Sequence, residues 1–515
     1  MTKIFKTAAL CAVSVALAVS LAASCTPRAA RAGKDAPAEK KGVVSPKQEV
    51  NLAYATEDGR YGRGDLTVEE EKRFADSLRK AEFEQMDIEE EIVRRAEEKR
   101  MEAERPVAGG KATVYLQRGF LDDALIEMIG VNPFGRDGAE RKLFNVTDST
   151  HRRLEFTLTQ TVKRANGRRA TALDFVELWS RRLKERPAHG LALFRHVQGA
   201  EGFVSGKEPL VGGISAADEN TIRIRLAKPD PLAFQRLRSP ALIDGSFTLG
   251  PYYAAWTAVD AVKLLPNANS PSGETAYLAE CTVKLGGNPN AMASFIQGRY
   301  AAMTLYSAAD LETARTELEG KATLVRLPSD RYFLASKSAN DQLRAFIRGA
   351  VSGMDLLKNV VKAEGEEIYS VTSHEAAAGQ KPARAQPPEL PKPIKLIYRS
   401  DDPISTAVAE KLRADFSGAG LATDAVGGDA ETYERTLVSG RYDCAVGWAS
   451  EAVLENLTAQ LHFASMWFGD ETDARVRLGE YREIPLFSVN NYMLLREDTR
   501  LYGDRVGGMW SRGSK

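Results

Sequence analysis

Cysteine is scarce in this chain of 515 residues, with four in all: Cys11, Cys25, Cys281 and Cys444. So few cannot form the disulfide framework of a small secreted domain, and neither they nor the five scattered histidines show the spacing of a zinc site. Net charge is absent too. Lys plus Arg and Asp plus Glu number 70 each, which leaves no electrostatic reason for nucleic acid as a main partner. Catalytic signatures are missing as well. No G-x-S-x-G elbow occurs, His374-Glu375 lacks a second histidine four places after the first, and Gly202 to Lys207 is one residue short of a phosphate loop between its glycines. Nothing elevates an enzyme, a metal or a cofactor, and no internal repeat is evident.

What the chain does have begins with an address. Lys3 and Lys6 precede an uncharged run from Ala8 to Ala23, about 16 residues, short for a bilayer span and ending in small residues as a cleaved signal does. Leu21-Ala22-Ala23-Ser24-Cys25 resembles the lipobox of bacterial lipoproteins, with Leu21 one place further from the cysteine than in the strictest pattern. Residues 1–24 are thus expected to be a signal peptide, and Cys25 the lipidation site that anchors the chain to a membrane of the cell envelope. Residues 25–65, rich in Ala, Pro, Gly and Lys, read as a disordered tether. Residues 66–106 read as a long charged helix, opened by the capping pattern Thr67-Val68-Glu69-Glu70 and ended by Pro106. Its seam of Phe74, Leu78, Ala81, Ile88 and Ile92 allows a solvated spacer of roughly 60 Å or a self-associating helix.

From Lys111 the chain is mixed α/β. Leu154, Phe156 and Leu158, then Ile222, Ile224 and Leu226, alternate as half-buried strands do. Asn166-Gly167 is a turn signal, and Thr171 with Asp174 starts a helix. Helices are expected at 290–298, 343–361 and 404–419, and strands at 112–117, 395–399, 443–448 and 485–495. Residues 376–393, full of Ala, Gln and Pro, should form an exposed loop. Cys281 and Cys444 either pair or remain two buried thiols.

A family resemblance rests on short motifs in order. Phe156-Thr157-Leu158 followed by Asn166-Gly167 and Thr171-Ala172-Leu173-Asp174-Phe175, then Gly250-Pro251-Tyr252, Ser439-Gly440-Arg441-Tyr442-Asp443, Gly447-Trp448 and Ile484-Pro485-Leu486, resemble the extracellular solute-binding proteins of family 5. The resemblance implies an α/β, two-lobed periplasmic-binding-protein type II fold with a small extra subdomain. Lobe I with its subdomain would span 111–280, lobe II 281–483, and 484–515 would return to lobe I. It implies a non-enzymatic substrate-binding lipoprotein that hands a peptide or peptide-like small solute to an ABC permease in the inner membrane. The family's G-W-x-x-D run corresponds to Gly447-Trp448-Ala449-Ser450-Glu451, so Trp448 would touch the ligand and Glu451 would pair its ammonium, with Tyr433 as an aromatic wall. Glu451 is one methylene longer than the family's aspartate, and the segments before Phe156 and after Asp355 are shorter than is usual. A lost pocket would leave an envelope scaffold with a degenerate binding-protein fold.

Overall fold

The computed structural model describes residues 109–511 apart from 118–142, 151, 160, 238–248, 259, 272–275, 373–385, 455–456, 470–476, 479, 481, 498 and 502–508. The signal, Cys25, the tether and the charged helix of 66–106 therefore lie outside the described residues, as does most of the Ala/Gln/Pro loop. All described residues belong to one compact unit, Glu102–Lys515.

The first strand, β1 (Lys111–Leu116), enters a large sheet. The chain next builds a separate small sheet from β2 (Phe144–Thr150), β3 (Arg153–Leu158), β4 (Ile214–Ala216) and β5 (Thr221–Arg225), in the order β2-β3-β5-β4. Four helices accompany it: α1 (Ala172–Glu185), α2 (Pro187–Phe194), α3 (Ala200–Val204) and α4 (Ala233–Leu237). The alternation read from sequence becomes a core here, because Leu154, Phe156, Ile222, Ile224 and Leu226 turn to one face against Phe175, Leu178 and Trp179 of α1. Helix α1 starts where expected, the Thr171 amide donating to Asp174 Oδ2 at 2.8 Å. At the preceding turn Gly167 has φ +80°, a conformation that costs a side-chain-bearing residue. This self-contained core is the small extra subdomain.

The chain then returns to the large sheet through β6 (Tyr252–Thr257), β7 (Ala261–Pro266), β8 (Glu280–Leu285), α5 (Ala291–Ile296), β9 (Ala302–Leu305), α6 (Ala308–Thr316) and the 15-residue β10 (Ala322–Ser336). It continues with α7 (Asp341–Ala350), β11 (Gly365–Glu367), β12 (Ile394–Arg399), α8 (Pro403–Gly418), β13 (Thr423–Gly428), α9 (Ala430–Ser439), β14 (Cys444–Ser450), α10 (Leu457–Phe468) and the 14-residue β15 (Glu483–Arg496). The strand order is β13-β12-β14-β10-β15-β9-β1-β8-β7-β6, with β11 added on β15. Two halves share it, joined by β10 and β15. One half is β9-β1-β8-β7-β6, and the other is β13-β12-β14 with the far ends of the two long strands.

Two boundaries differ from the sequence reading. β8, which contains Cys281, pairs in parallel with β1 over its whole length, so the chain is still in the first half at 281 and does not leave it until β10. The expected helix of 343–361 is broken: Val351 is extended, and the chain restarts at Gly353 before a π-helical turn, Leu356–Val361, that ends at Lys362 with φ 54°. The break lets the backbone press against β15, where a Cβ on Gly353 would stand 1.8 Å from the Leu486 carbonyl oxygen. Cys281 and Cys444 are free, buried thiols in different halves, and burial pushes both up to about 12.

Candidate functional site

The junction of the halves comes from two strands that change partners at one level. Residues Ala322–Leu327 of β10 pair with Asn491–Arg496 of β15, which is flanked there by β9; residues Asp330–Ala335 pair with Glu483–Val489, and β14 flanks β10 from Asp330 onward. Between these stretches Pro328 and Ser329 lie opposite Asn490, two residues against one. This is a bulge, and it bends the pair where the partners switch.

Polar side chains close the gaps that the bulge leaves in the ladder. Ser329 N donates to Glu451 Oε2 at 2.9 Å, Ser329 Oγ to Asn490 Oδ1 at 3.3 Å, and Asn491 Nδ2 to both Pro328 O at 3.0 Å and Asp330 Oδ2 at 2.9 Å. Glu451 thus sits at the bulge, on the short turn that follows β14. Nearby, Arg331 is 6% exposed and donates to Ser370 O at 2.8 Å. Its burial lowers the guanidinium, opposed by the charges of Glu451, Glu366 and Glu483. A further tie lies beside the bulge: the Ala308 amide donates to Lys362 O at 2.9 Å, and Arg315 grips Glu364, which also accepts from Tyr492 Oη at 2.9 Å.

The three residues expected to line the pocket are not brought together on one face. Alternation along β10 and β14 sends Tyr332, Leu334 and Val446 to one side of the second-half sheet, where the half-buried Trp448 packs with them. Phe333, Ala335 and Ala445 face the other side, and Tyr433 is there. Tyr433 is 4% exposed, and its hydroxyl donates to Val446 O at 2.6 Å. Burial raises its pKa well above the usual tyrosine value. It packs in a core cluster of the second half, on the opposite sheet face from Trp448. A helix tyrosine ahead of a strand looks the same in sequence whichever side of that strand it covers.

Sequence reasoning missed a contact between the small subdomain and the second half. Helix α2 of the subdomain packs against α9 and α10, and Ala188 joins a cluster with Phe333, Tyr433, Phe463 and Trp467. A helix start leaves amide groups without partners, and Arg186 before α2 has no acceptor side chain to cap them. Glu434 of α9 does so from across the seam: its Oε2 accepts from the amides of Ala188 at 3.2 Å and His189 at 3.4 Å, while Oε1 accepts from Arg186 Nε. Glu434 is 2% exposed, so its charge requires these donors. The exchange is mutual, since Arg195 beyond α2 donates to Ser465 O, 3.1 Å, in the last turn of α10. Between them the rings of His189 and His462 stack with centroids 5.1 Å apart and Nδ1 to Nε2 at 2.9 Å. Only the alternating apolar residues beneath this seam had a sequence signal; the Arg186–Glu434 pairing, 248 residues apart, had none.

The strand order, the long strand pair crossing at one bulge and the inserted small sheet decide the architecture. The fold is that of a type II periplasmic binding protein. Similar solved structures include Haemophilus influenzae OppA in complex with the peptide RPPGFSPFR, at 16% identity and a TM-score of 0.54, covering 78% of this chain and 98% of that one. The Escherichia coli murein tripeptide binding protein MppA is similar at 16% identity and TM-score 0.51, with the same coverage of each chain. AgaA of A. tumefaciens in complex with agropinic acid is similar at 14% identity and TM-score 0.53, covering 78% of this chain and 96% of that one. No family model matches the sequence, and no curated protein does. Within this fold the bulge at Pro328-Ser329 lies where the strand pair passes from one half to the other, and the α2–α9–α10 seam joins the small subdomain to the second half. Among the described residues no group of His, Cys, Asp and Glu is arranged to hold a metal ion.

Proposed function

We propose that this chain is a family 5 solute-binding protein, capturing a peptide or peptide-like small solute between its lobes and presenting it to an ABC permease, with lipid on Cys25 holding it at the envelope. The observation that carries this reading is the junction itself. Two long strands that stay paired with each other through one bulge, where β15 passes from β9 to β11 and β10 gains β14, form a hinge about which two otherwise separate cores can rotate. Solved structures of the same fold hold a peptide or agropinic acid.

Trp448 and Glu451 are the ligand-contacting residues in this reading. Glu451 accepts one amide at the bulge through Oε2, and an ionised carboxylate offers about four lone-pair sites, so it retains capacity for a solute ammonium group. Pairing with that cation would link binding to the geometry of the hinge. Tyr433 supports the lobe from inside.

A second reading, an envelope scaffold that kept the fold without transport, is favoured by the lobe seam, where side chains of both lobes fill the contact directly. Thermal unfolding in the presence of peptide and small-solute mixtures separates the two. A bound solute at a hundred times its dissociation constant adds about 2.7 kcal/mol, whereas a scaffold stays flat in every pool.

A further inference from the structure

We propose that the small subdomain moves with the first lobe and that the His189–His462 pair makes its contact with the second lobe open in acid, so that a solute held at neutral pH is released on acidification. The proposal rests on the solute-binding reading for its purpose and on the seam for its mechanism. The geometry leaves little room for added charge. His189 Nδ1 and His462 Nε2 are 2.9 Å apart, a distance that holds one proton between two nitrogens; with both rings fully protonated, two N–H groups would point at each other.

The surroundings are cationic on nearly every side. Arg182 of α1 and Arg186 ahead of α2 face His189, as does Arg399 at the end of β12, which is paired with Asp401. Arg186 also faces His462, together with Arg236 of α4, which is paired with Asp230. Among the described residues the carboxylate against the pair is Glu434 of α9, its Oε1 at 3.8 Å from His189 Nε2, and it is already held by Arg186 and two amides. The partly buried setting of the rings, with the His189 side chain 30% exposed, and these arginines hold both imidazoles below the ordinary histidine value, His462 down to about 4.

The direction follows. A group whose closed-state pKa is depressed binds its proton more readily once the lobes part and water reaches it. Closure is therefore fully supported above about pH 6.5 and weakens as pH falls below it toward about 4. Each imidazole that must charge shifts the closed-to-open ratio up to about tenfold per pH unit in that window. The apolar and helix-capping contacts around the pair set how far the balance lies toward closure at neutral pH.

Hydrogen exchange of the Ala188 and His189 amides in the full chain, corrected for the intrinsic effect of pH, reads the latch without any solute. These amides are capped by Glu434 only while the lobes touch. Their protection should fall at least tenfold between pH 7.5 and pH 5, while that of strand Ile394–Arg399 inside the second lobe holds. The H189Q/H462Q chain should lose this dependence, and H462Q alone should keep part of it. Unchanged protection in the native chain overturns the proposal, and so does a full pH response in the double variant, which would place the switch on a carboxylate. Failure here leaves the solute-binding reading standing, because peptide-induced stabilisation at neutral pH tests that separately.

Discussion

The strand junction joins the two halves of the sheet and the seam joins the subdomain to the second half, yet the two are built on opposite principles. At the hinge two strands of 15 and 14 residues run through without a break, so the lobes cannot separate there, and the bulge at Pro328-Ser329 confines bending to one level. At the seam no chain crosses. Apolar contact, one buried ion pair and two borrowed helix caps hold α2 to α9 and α10, all of them contacts that vanish together if the lobes part. In the solute-binding reading, the few short-range contacts at the seam decide whether the subdomain and the second lobe stay joined, and the strand junction sets the path along which the lobes move.

Substitutions along this contrast should differ in size and in kind. The largest effect belongs beneath the seam. Phe333 is fully buried against Phe463, Trp467 and Phe468, so Phe333→Ala should cost about 3 to 5 kcal/mol in chemical denaturation of the second lobe. Next comes Glu434→Ala, which strands the Arg186 guanidinium and uncaps α2 for a loss of about 3 kcal/mol; it should expose the Ala188 and His189 amides to exchange while the β12 strand stays protected. Equal loss of protection in both places would mean that the lobes unfold as one unit and that the seam is ordinary core.

At the hinge the effects are smaller and concern function more than stability. Glu451→Gln weakens the bond to the Ser329 amide, about 1 kcal/mol by denaturation, and should reduce the affinity for a solute with a free ammonium group well beyond that for an N-acetylated one. Trp448→Ala should weaken solute binding by about 1 kcal/mol in calorimetry if its half-exposed indole meets the ligand. Arg315→Ala, removing a half-exposed partner of Glu364 beside the bulge, should change stability by about 0.5 kcal/mol or less, and salt should diminish even that.

Much of the fold was legible because its signals are local. Thr171 and Asp174 form the helix start that their spacing announced, Gly167 takes the turn that needs it, and Leu154, Phe156, Ile222 and Ile224 line one core face as their period demanded. The ordered motifs pointed to the two-lobed architecture. What was illegible depends on pairing across long separations. Helix and strand periods place Tyr433 and Trp448 on neighbouring elements and are silent about which sheet face each covers, and they occupy different ones. The crossing expected near Cys281 lies instead at Pro328-Ser329, since a strand's lobe is fixed by its neighbours, and β8 chose β1. The Arg186–Glu434 contact joins residues from separate cores, each of which reads by itself as one more surface charge.

In the proposed function, solute draws the two lobes together about the bulge. Spin labels at K207C on the subdomain and R441C on the second lobe, both exposed positions, report that movement as a distance distribution in the full chain at neutral pH. A solute pool that stabilises the chain should remove the longer distances and leave one narrow, shorter population. A single distribution that no solute pool alters would contradict the account and leave a rigid body with a binding-protein fold.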